Sequence, residues 1–148
     1  MLSFKQFLNE AQEHTSADTS LNQVSAGLKY AVKNNLIKPH TNNVDNGGGK
    51  YDEGKKHVEN NIEGAKLHVH DPFNRKPEHN EEVERNHTGK AHYVGLHNVL
   101  NVIKEPEERK AALEKTKSFM HPKGIVHITI QYADMNHLTQ RYLYLEPS

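Results

Sequence analysis

The sequence predicts a parallel α/β fold, and three observations support that class. Strand-like and helix-like patterns alternate from residue 42 to residue 132. Three consecutive glycines, Gly47, Gly48 and Gly49, fall between the first strand pattern and the helix pattern behind it. The last segment of the series, IVHITIQY at 125–132, is β-branched like the interior of a sheet. Such alternation builds a mainly parallel sheet with helices on its faces, and places any ligand at one edge of the strands.

Each element can be justified in order. In MLSFKQFLNEA, Phe4, Phe7 and Leu8 share one face of a short helix, and Ser3 with Gln6 can form a capping box. A polar stretch follows, so residues 1–18 read as a helix and linker, and residues 19–148 as one domain. Leu21, Val24, Leu28, Val32 and Leu36 recur at helical spacing between a Ser20/Gln23 capping box and Pro39. TNNVD (41–45) is a short strand, and residues 52–64 are a helix with Val58 and Ile62 on one face. In AKLHVHD (65–71), Leu67 and Val69 alternate with His68 and His70, as in a strand. Residues 77–86 are a polar helix, and a further strand lies within 91–103. In 105–120, Pro106 and the glutamates 105, 107 and 108 suit a helix start, while Lys115 and Lys117 suit its end. Ala112, Leu113, Thr116 and Phe119 can face the sheet, and HPKG (121–124) is expected to turn the chain into the last strand.

Composition narrows the function. The 148 residues make one domain, with a lean core because Leu, Ile, Val and Phe total only 32. Nineteen basic residues balance nineteen acidic ones, so there is no basic surplus to bind nucleic acid. No cysteine is present, which excludes thiolate chemistry and fits a reducing cytoplasm. No apolar run approaches the roughly 20 residues needed to span a bilayer. The N-terminus is too polar for a secretory signal. Twelve histidines predict a net charge that climbs as pH falls through about 6.5.

Gly47 and Gly49 are spaced as G-x-G ahead of a helix, which lets a ligand approach the main chain. Asp71 ends the next strand pattern, 24 positions after Gly47, close to the roughly 20 at which an acid accepts ribose hydroxyls in dinucleotide sites. The same residue equally suits capping of the turn before Pro72. His68 and His70, with His97 or His127, could ligate a metal, although satisfied packing is the commoner role for such residues. Arg75 and Lys76 could meet an anionic acceptor or simply carry solvated charge. There is no G-x-S-x-G elbow, and GGGKYD lacks the spacing and hydroxyl of a Walker loop.

VDNGGGKYD, HVHDPFNRKPEHN, HNVLNVI and MHPKGIVHITI, in this order, resemble class I S-adenosylmethionine-dependent methyltransferases, most of all a phage and bacterial branch. The resemblance covers roughly residues 20 to 132. It implies a Rossmann-like three-layer sandwich with S-adenosyl-L-methionine as cofactor. By the same resemblance Asp45 would orient the D-x-G-x-G loop and help bind the methionine amino group. Gly47, Gly48 and Gly49 would pass close to the methionine and ribose, and Asp71 would bind the ribose hydroxyls. Pro72 and Phe73 would lie near the adenine, and Asn98 where the sulfonium methyl points, as both a cofactor contact and a catalytic candidate.

The chain also departs from that pattern. Seven strands are usual, yet only 16 residues follow IVHITIQY, room for one short strand at 141–145, so the sheet is expected to be incomplete on its C-terminal side. The segment between Asp71 and His97 is too short for the family's third strand, and Asn46 stands where an apolar residue is usual. A shortened sheet exposes an edge that a second copy of the chain could cover. The leading expectation is methyl transfer to an unknown acceptor. Binding or degrading the cofactor without transfer, which would help a phage resist methylation-dependent defence, is the alternative, and a packaged phage protein with an idle site is the third. Leu8-Asn9-Glu10 resembles the cleavage point of prohead-targeted phage leaders, with Ala11 as the new terminus, although a docked amphipathic helix explains the same residues. That origin implies the cytoplasm of an infected bacterium, or the virion.

Overall fold

A computed structural model describes residues 23–133 and the strand 138–145. The expected leader, the Ser3/Gln6 box and Ser20 lie outside the described residues. Helix α1 (Ala26–Lys33) leads into β1 (Asn42–Asn46), α2 (Glu53–Asn61), β2 (Lys66–His70), α3 (Pro77–His87) and β3 (Ala91–His97). A 3₁₀ turn (Leu100–Val102), α4 (Pro106–Ser118), β4 (Met120–Ala133) and β5 (Leu138–Leu145) complete the order. The five strands form one sheet in the order β2-β1-β3-β4-β5. The first four are parallel and β5 runs antiparallel to β4.

Two apolar layers hold the helices on. Leu28, Ala31, Val58, Leu67 and Tyr93 pack α1 and α2 on one face. Val44, Val83, Leu96, Ile103, Phe119 and Val126 pack α3 and α4 on the other. The three-layer Rossmann-like class is therefore as the sequence predicts. Three local expectations are corrected. α1 begins at Ala26, capped by the Ser25 hydroxyl accepting from Leu28 N–H at 3.2 Å, and it ends before Leu36. HPKG does not reverse the chain. It is a bulge inside β4, because Ala91 pairs with Met120 whereas Tyr93 already pairs with Ile125. The final strand starts at Leu138 rather than Arg141.

No strand lies between β2 and β3, so β2 is a sheet edge. Most of its outward main-chain groups are nevertheless occupied. Leu67 N–H donates to Glu59 Oε1 at 3.2 Å, and Leu67 O accepts from Lys55 Nζ at 3.1 Å. Val69 O accepts from His79 Nε2 at 2.6 Å. The Asn80 side chain takes Asp71 N–H and gives to Asp71 O, both at 3.0 Å. Side chains of α2 and α3 thus stand in for the missing strand. This β2 edge is covered largely by the chain itself, which blunts strand pairing there.

Asn80 is 8 % exposed and cannot be replaced there by water at full strength. Truncating Asn80→Ala leaves two buried main-chain groups without partners and is expected to cost about 1–3 kcal/mol in chemical denaturation. The Asp71 amide should lose hydrogen-exchange protection more than amides of β3.

Candidate functional site

The carboxyl ends of β1, β2 and β3 converge on the glycine loop. Gly47 has φ +82°, and a Cβ there would lie 2.5 Å from Val99 Cγ2. Only glycine serves that position. A Cβ on Gly48 would lie 2.6 Å from Asp45 Oδ2 and 2.9 Å from Val69 Cγ1. The loop is therefore pressed onto the end of β1, and only at Gly49 does a Cβ meet nothing within 4 Å. Gly47 N–H donates to His70 O at 2.7 Å, which continues the sheet one step into the loop.

Asp71 fixes the loop from β2. It is 1 % exposed. Its Oδ2 accepts from Gly49 N–H at 2.8 Å and from Asn74 Nδ2 at 3.1 Å, and its Oδ1 accepts from Phe73 N–H at 3.0 Å and Asn74 N–H at 3.1 Å. The carboxylate has about four acceptor positions, and all are taken. Arg75 returns the connection. Its Nε donates to Gly49 O at 2.7 Å, and one terminal nitrogen donates to Tyr51 O and Asp52 Oδ1, both at 2.9 Å. In the structure Arg75 is thus a brace between two loops, a role the sequence did not reveal because its partners lie more than 20 positions away.

Asp45 lies beneath the loop on the α1 face. It is 4 % exposed, and its Oδ1 has no hydrogen-bond partner among the described residues. Burial, then the charge of Asp71, push its carboxyl up to about 7, against a smaller opposing pull from Arg75. A Cβ on Gly95, the register partner of Asp45, would meet Asp45 Oδ1 at 3.2 Å and His97 Nε2 at 2.6 Å. Behind Asp45 runs a buried polar group. Tyr93 Oη contacts His97 Nε2 at 3.0 Å and His127 Nδ1 at 2.8 Å, and His97 Nδ1 contacts Thr129 Oγ1 at 2.9 Å. Burial pushes His97 down to about 3 and His127 to about 4, so both are neutral near pH 7.

On the opposite face a cavity of about 290 Å³ opens between the loop ends and α4. Gly47, Asp71, Pro72, Phe73, Leu96, Val99 and Ile103 supply one part of its wall. His70, Asn46, Glu84 and Lys115 supply a polar part. Asn46, unexpected by its polarity, gives Nδ2–H to Thr116 Oγ1 at 3.0 Å and contacts His70 Nδ1 at 2.7 Å. Asn98 follows β3 with φ +58°, its N–H donating to Thr129 O at 2.8 Å and its buried Oδ1 having no partner among the described residues.

The structure therefore gathers Asp45, Gly47, Gly48, Gly49, Asp71, Pro72 and Phe73 around one loop edge, with Asn98 at the adjoining end of β3. It does not gather the histidines. His68 stacks on His87 at 3.7 Å and His70 faces Glu84, whereas His97 and His127 lie across the sheet. Among the described residues no group of three or more His, Cys, Asp or Glu is placed to hold a metal, and no helix is long and apolar enough to cross a membrane.

These burials set how stability responds to pH. Asp45 is raised in the folded state, so it detracts from stability increasingly as pH rises from about 4 to 7. Asp45→Asn should therefore raise the melting temperature, with a gain that grows over that range and levels off above it. The gain is bounded by about 1.4 kcal/mol for each pH unit separating the folded and unfolded titrations of this carboxyl. His68, His97 and His127 are lowered to about 4, 3 and 4, so the unfolded chain binds more protons below about 6.5. Thermal melts should show stability falling steeply between pH 6.5 and 4.

No family model and no curated protein matches the chain. Solved structures do. The 1,6-didemethyltoxoflavin-N1-methyltransferase of Burkholderia thailandensis, solved with 1,6-didemethyltoxoflavin and S-adenosylhomocysteine, superposes with TM-score 0.60 at 14% identity, over 99% of this chain and 75% of that one. Phosphoethanolamine N-methyltransferase 2 of Haemonchus contortus, with phosphomonomethylethanolamine and S-adenosylhomocysteine, gives TM-score 0.57 at 17% identity over 94% of this chain. The chain spans only 38% of the length of that protein. A Geobacter sulfurreducens S-adenosylmethionine-dependent methyltransferase in complex with S-adenosylhomocysteine gives 0.51 at 13% identity, covering 80% and 53% of the two chains. At these identities the likeness is one of fold: the chain has the Rossmann-like fold of S-adenosylmethionine-dependent class I methyltransferases.

Proposed function

We propose that the chain binds S-adenosyl-L-methionine across its glycine loop and transfers the methyl group to an acceptor. One observation carries the reading: the buried Asp45 Oδ1, which has no hydrogen-bond partner among the described residues, directly beneath a glycine loop that packs against the same carboxyl. A buried carboxylate in that state calls for a cation. The methionine ammonium supplies one, and it would restore Asp45 to its ionised form. The adenosine end would enter the apolar cavity across the sheet edge, against Phe73, Val99 and Ile103. Structural neighbours solved with S-adenosylhomocysteine support this choice of cofactor.

In this reading the residues divide the work. Gly47, Gly48 and Gly49 give main-chain access. Asp71 accepts the ribose hydroxyls, and because its acceptor positions are filled, the diol takes the place of the Asn74 amide and Gly49 N–H. Asn98, at the end of β3, would contribute its Oδ1, buried with no hydrogen-bond partner among the described residues, toward the reacting end. Methyl transfer needs an acceptor atom in line with the methyl and sulfur, and little proton chemistry from the protein. The neutral His97 and Tyr93 lie behind Asp45 and keep that side polar without adding charge.

Titration calorimetry with S-adenosylmethionine at pH 7 tests the reading. Binding should release a fraction of a proton from Asp45, visible as a heat that depends on buffer ionisation enthalpy. Asp45→Asn should weaken binding by about tenfold or more while leaving the fold more stable, a charge-assisted contact being worth roughly 1.5–3 kcal/mol. Absence of binding heat in the intact protein would sink the proposal. S-adenosylhomocysteine as product with an acceptor extract supports transfer, whereas methylthioadenosine or unchanged cofactor overturns the transfer step alone.

A further inference from the structure

We propose that Glu84 is a ligand-binding acceptor of the cavity, latched against β2 by a protonated His70 and released to the cavity when His70 loses its proton. Thr116 sets the direction of the hydrogen bonds that lead to this pair. Its hydroxyl lies 2.7 Å from Ala112 O, a carbonyl that can only accept, so the hydroxyl proton is committed there. Thr116 Oγ1 must then accept from Asn46, which fixes the amide with Nδ2 toward Thr116. Asn46 Oδ1 consequently faces His70 Nδ1 at 2.7 Å as an acceptor, and Nδ1 must carry a proton. The other ring nitrogen, Nε2, lies 3.0 Å from Glu84 Oε1. Glu84 is ionised: Lys115 Nζ sits 2.7 Å from the same oxygen and holds its carboxyl below the usual range. Both His70 nitrogens therefore face acceptors, and the arrangement closes only around an imidazolium.

That cation is expensive where it sits. His70 is 2 % exposed, with the Phe119 ring edge-on at 5.2 Å. Burial, together with Lys115 from α4, pushes the imidazole down, while Glu84 from α3 and Asp71 from β2 pull it up, and the balance lies below the ordinary histidine value. The proton is therefore lost on the acid side of about 6.5. Neutral His70 keeps Nδ1–H on Asn46, and its Nε2 lone pair then opposes the Glu84 oxygen. Glu84, one third exposed and tied to Lys115 on the cavity wall, is the partner free to move. Once released, it offers a carboxylate oxygen to an N–H donor on an aromatic ligand in the cavity. Acid closes the site and neutral pH opens it.

Ring-nitrogen NMR of the full chain, followed from pH 8 into the acid range as far as the fold persists, tests the latch without any ligand. His70 should change from the neutral Nδ1–H form to the doubly protonated form. The methyls of Ile103 and Val99, which line the cavity, should shift with the same midpoint. Glu84→Gln should lower the His70 midpoint by about one pH unit or more, since it removes the anion that favours the charged ring, and the methyls should cease to follow it. A neutral Nε2–H form, a His70 midpoint unaffected by Glu84→Gln, or methyls that titrate without His70 overturns the latch. The role toward a ligand rests on the proposed cofactor. Glu84→Gln should weaken S-adenosylmethionine roughly tenfold at pH 8, as expected for loss of a hydrogen bond to a charged group, and unchanged affinity overturns that role. If neither protein binds the cofactor, the cofactor reading and the ligand role fail together, and the ring-nitrogen criteria still decide the latch.

Discussion

The rest of the structure depends on the carboxylate of Asp71. It is buried at the end of β2 and receives four N–H groups, three from its own turn and one from Gly49. Arg75 leaves that turn and takes Gly49 O and Tyr51 O in return. The loop after β1 and the turn after β2 are thereby one object. A loop of three glycines has a large backbone entropy to lose, and without such bonds it would not hold one shape. The main chain of Asp71 is in turn held by Asn80, the residue that closes the β2 edge. Edge and site share an anchor, so a fault in the sheet margin is transmitted directly to the loop.

The loop also separates two electrostatic environments. On the α1 face Asp45 lies over neutral imidazoles and a tyrosine hydroxyl, with burial working against its charge. On the α4 face the space is bounded by Phe73, Leu96, Val99 and Ile103. A molecule that crosses the edge meets an acid in need of a cation on one side and an apolar hollow on the other. A ligand with a cationic end and a flat aromatic end satisfies both. That complementarity extends the functional proposal from Asp45, which carries it, to the whole edge.

Much of this is legible in the sequence, and the misses share a cause. Element order, the parallel class and the position of the glycines follow from period and local turn chemistry. The start of α1 does not, because a serine before a helical pattern is a cap signal at Ser20 and Ser25 alike, and only packing selects between them. HPKG signals an irregular backbone correctly, but Pro and Gly cannot say whether the chain reverses or bulges. Asn46 looks out of place in the sequence because its partner, Thr116, is 70 positions away. Arg75 looks like surface charge because Gly49 is 26 positions away. The sealing of β2 by Lys55, Glu59, His79 and Asn80 is invisible for the same reason. Each residue is ordinary for a polar helix, and only the fold brings them to one edge.

The histidines show how burial rewrites a compositional expectation. Twelve of them suggest a protein whose charge climbs as pH falls through about 6.5. Yet His97 and His127 are enclosed between the sheet and α1, and His68 is stacked on His87. Their proton uptake is displaced to about 3 or 4. The folded chain therefore takes up fewer protons in the expected range than its composition implies, and the unfolded chain takes up the full number. By linkage, the response that composition assigns to surface charge is shifted into the folding equilibrium. A lean apolar core makes that shift consequential. Tyr93, Thr129 and the two imidazoles fill interior space that aliphatic side chains would otherwise occupy, and they do so only while the rings stay neutral.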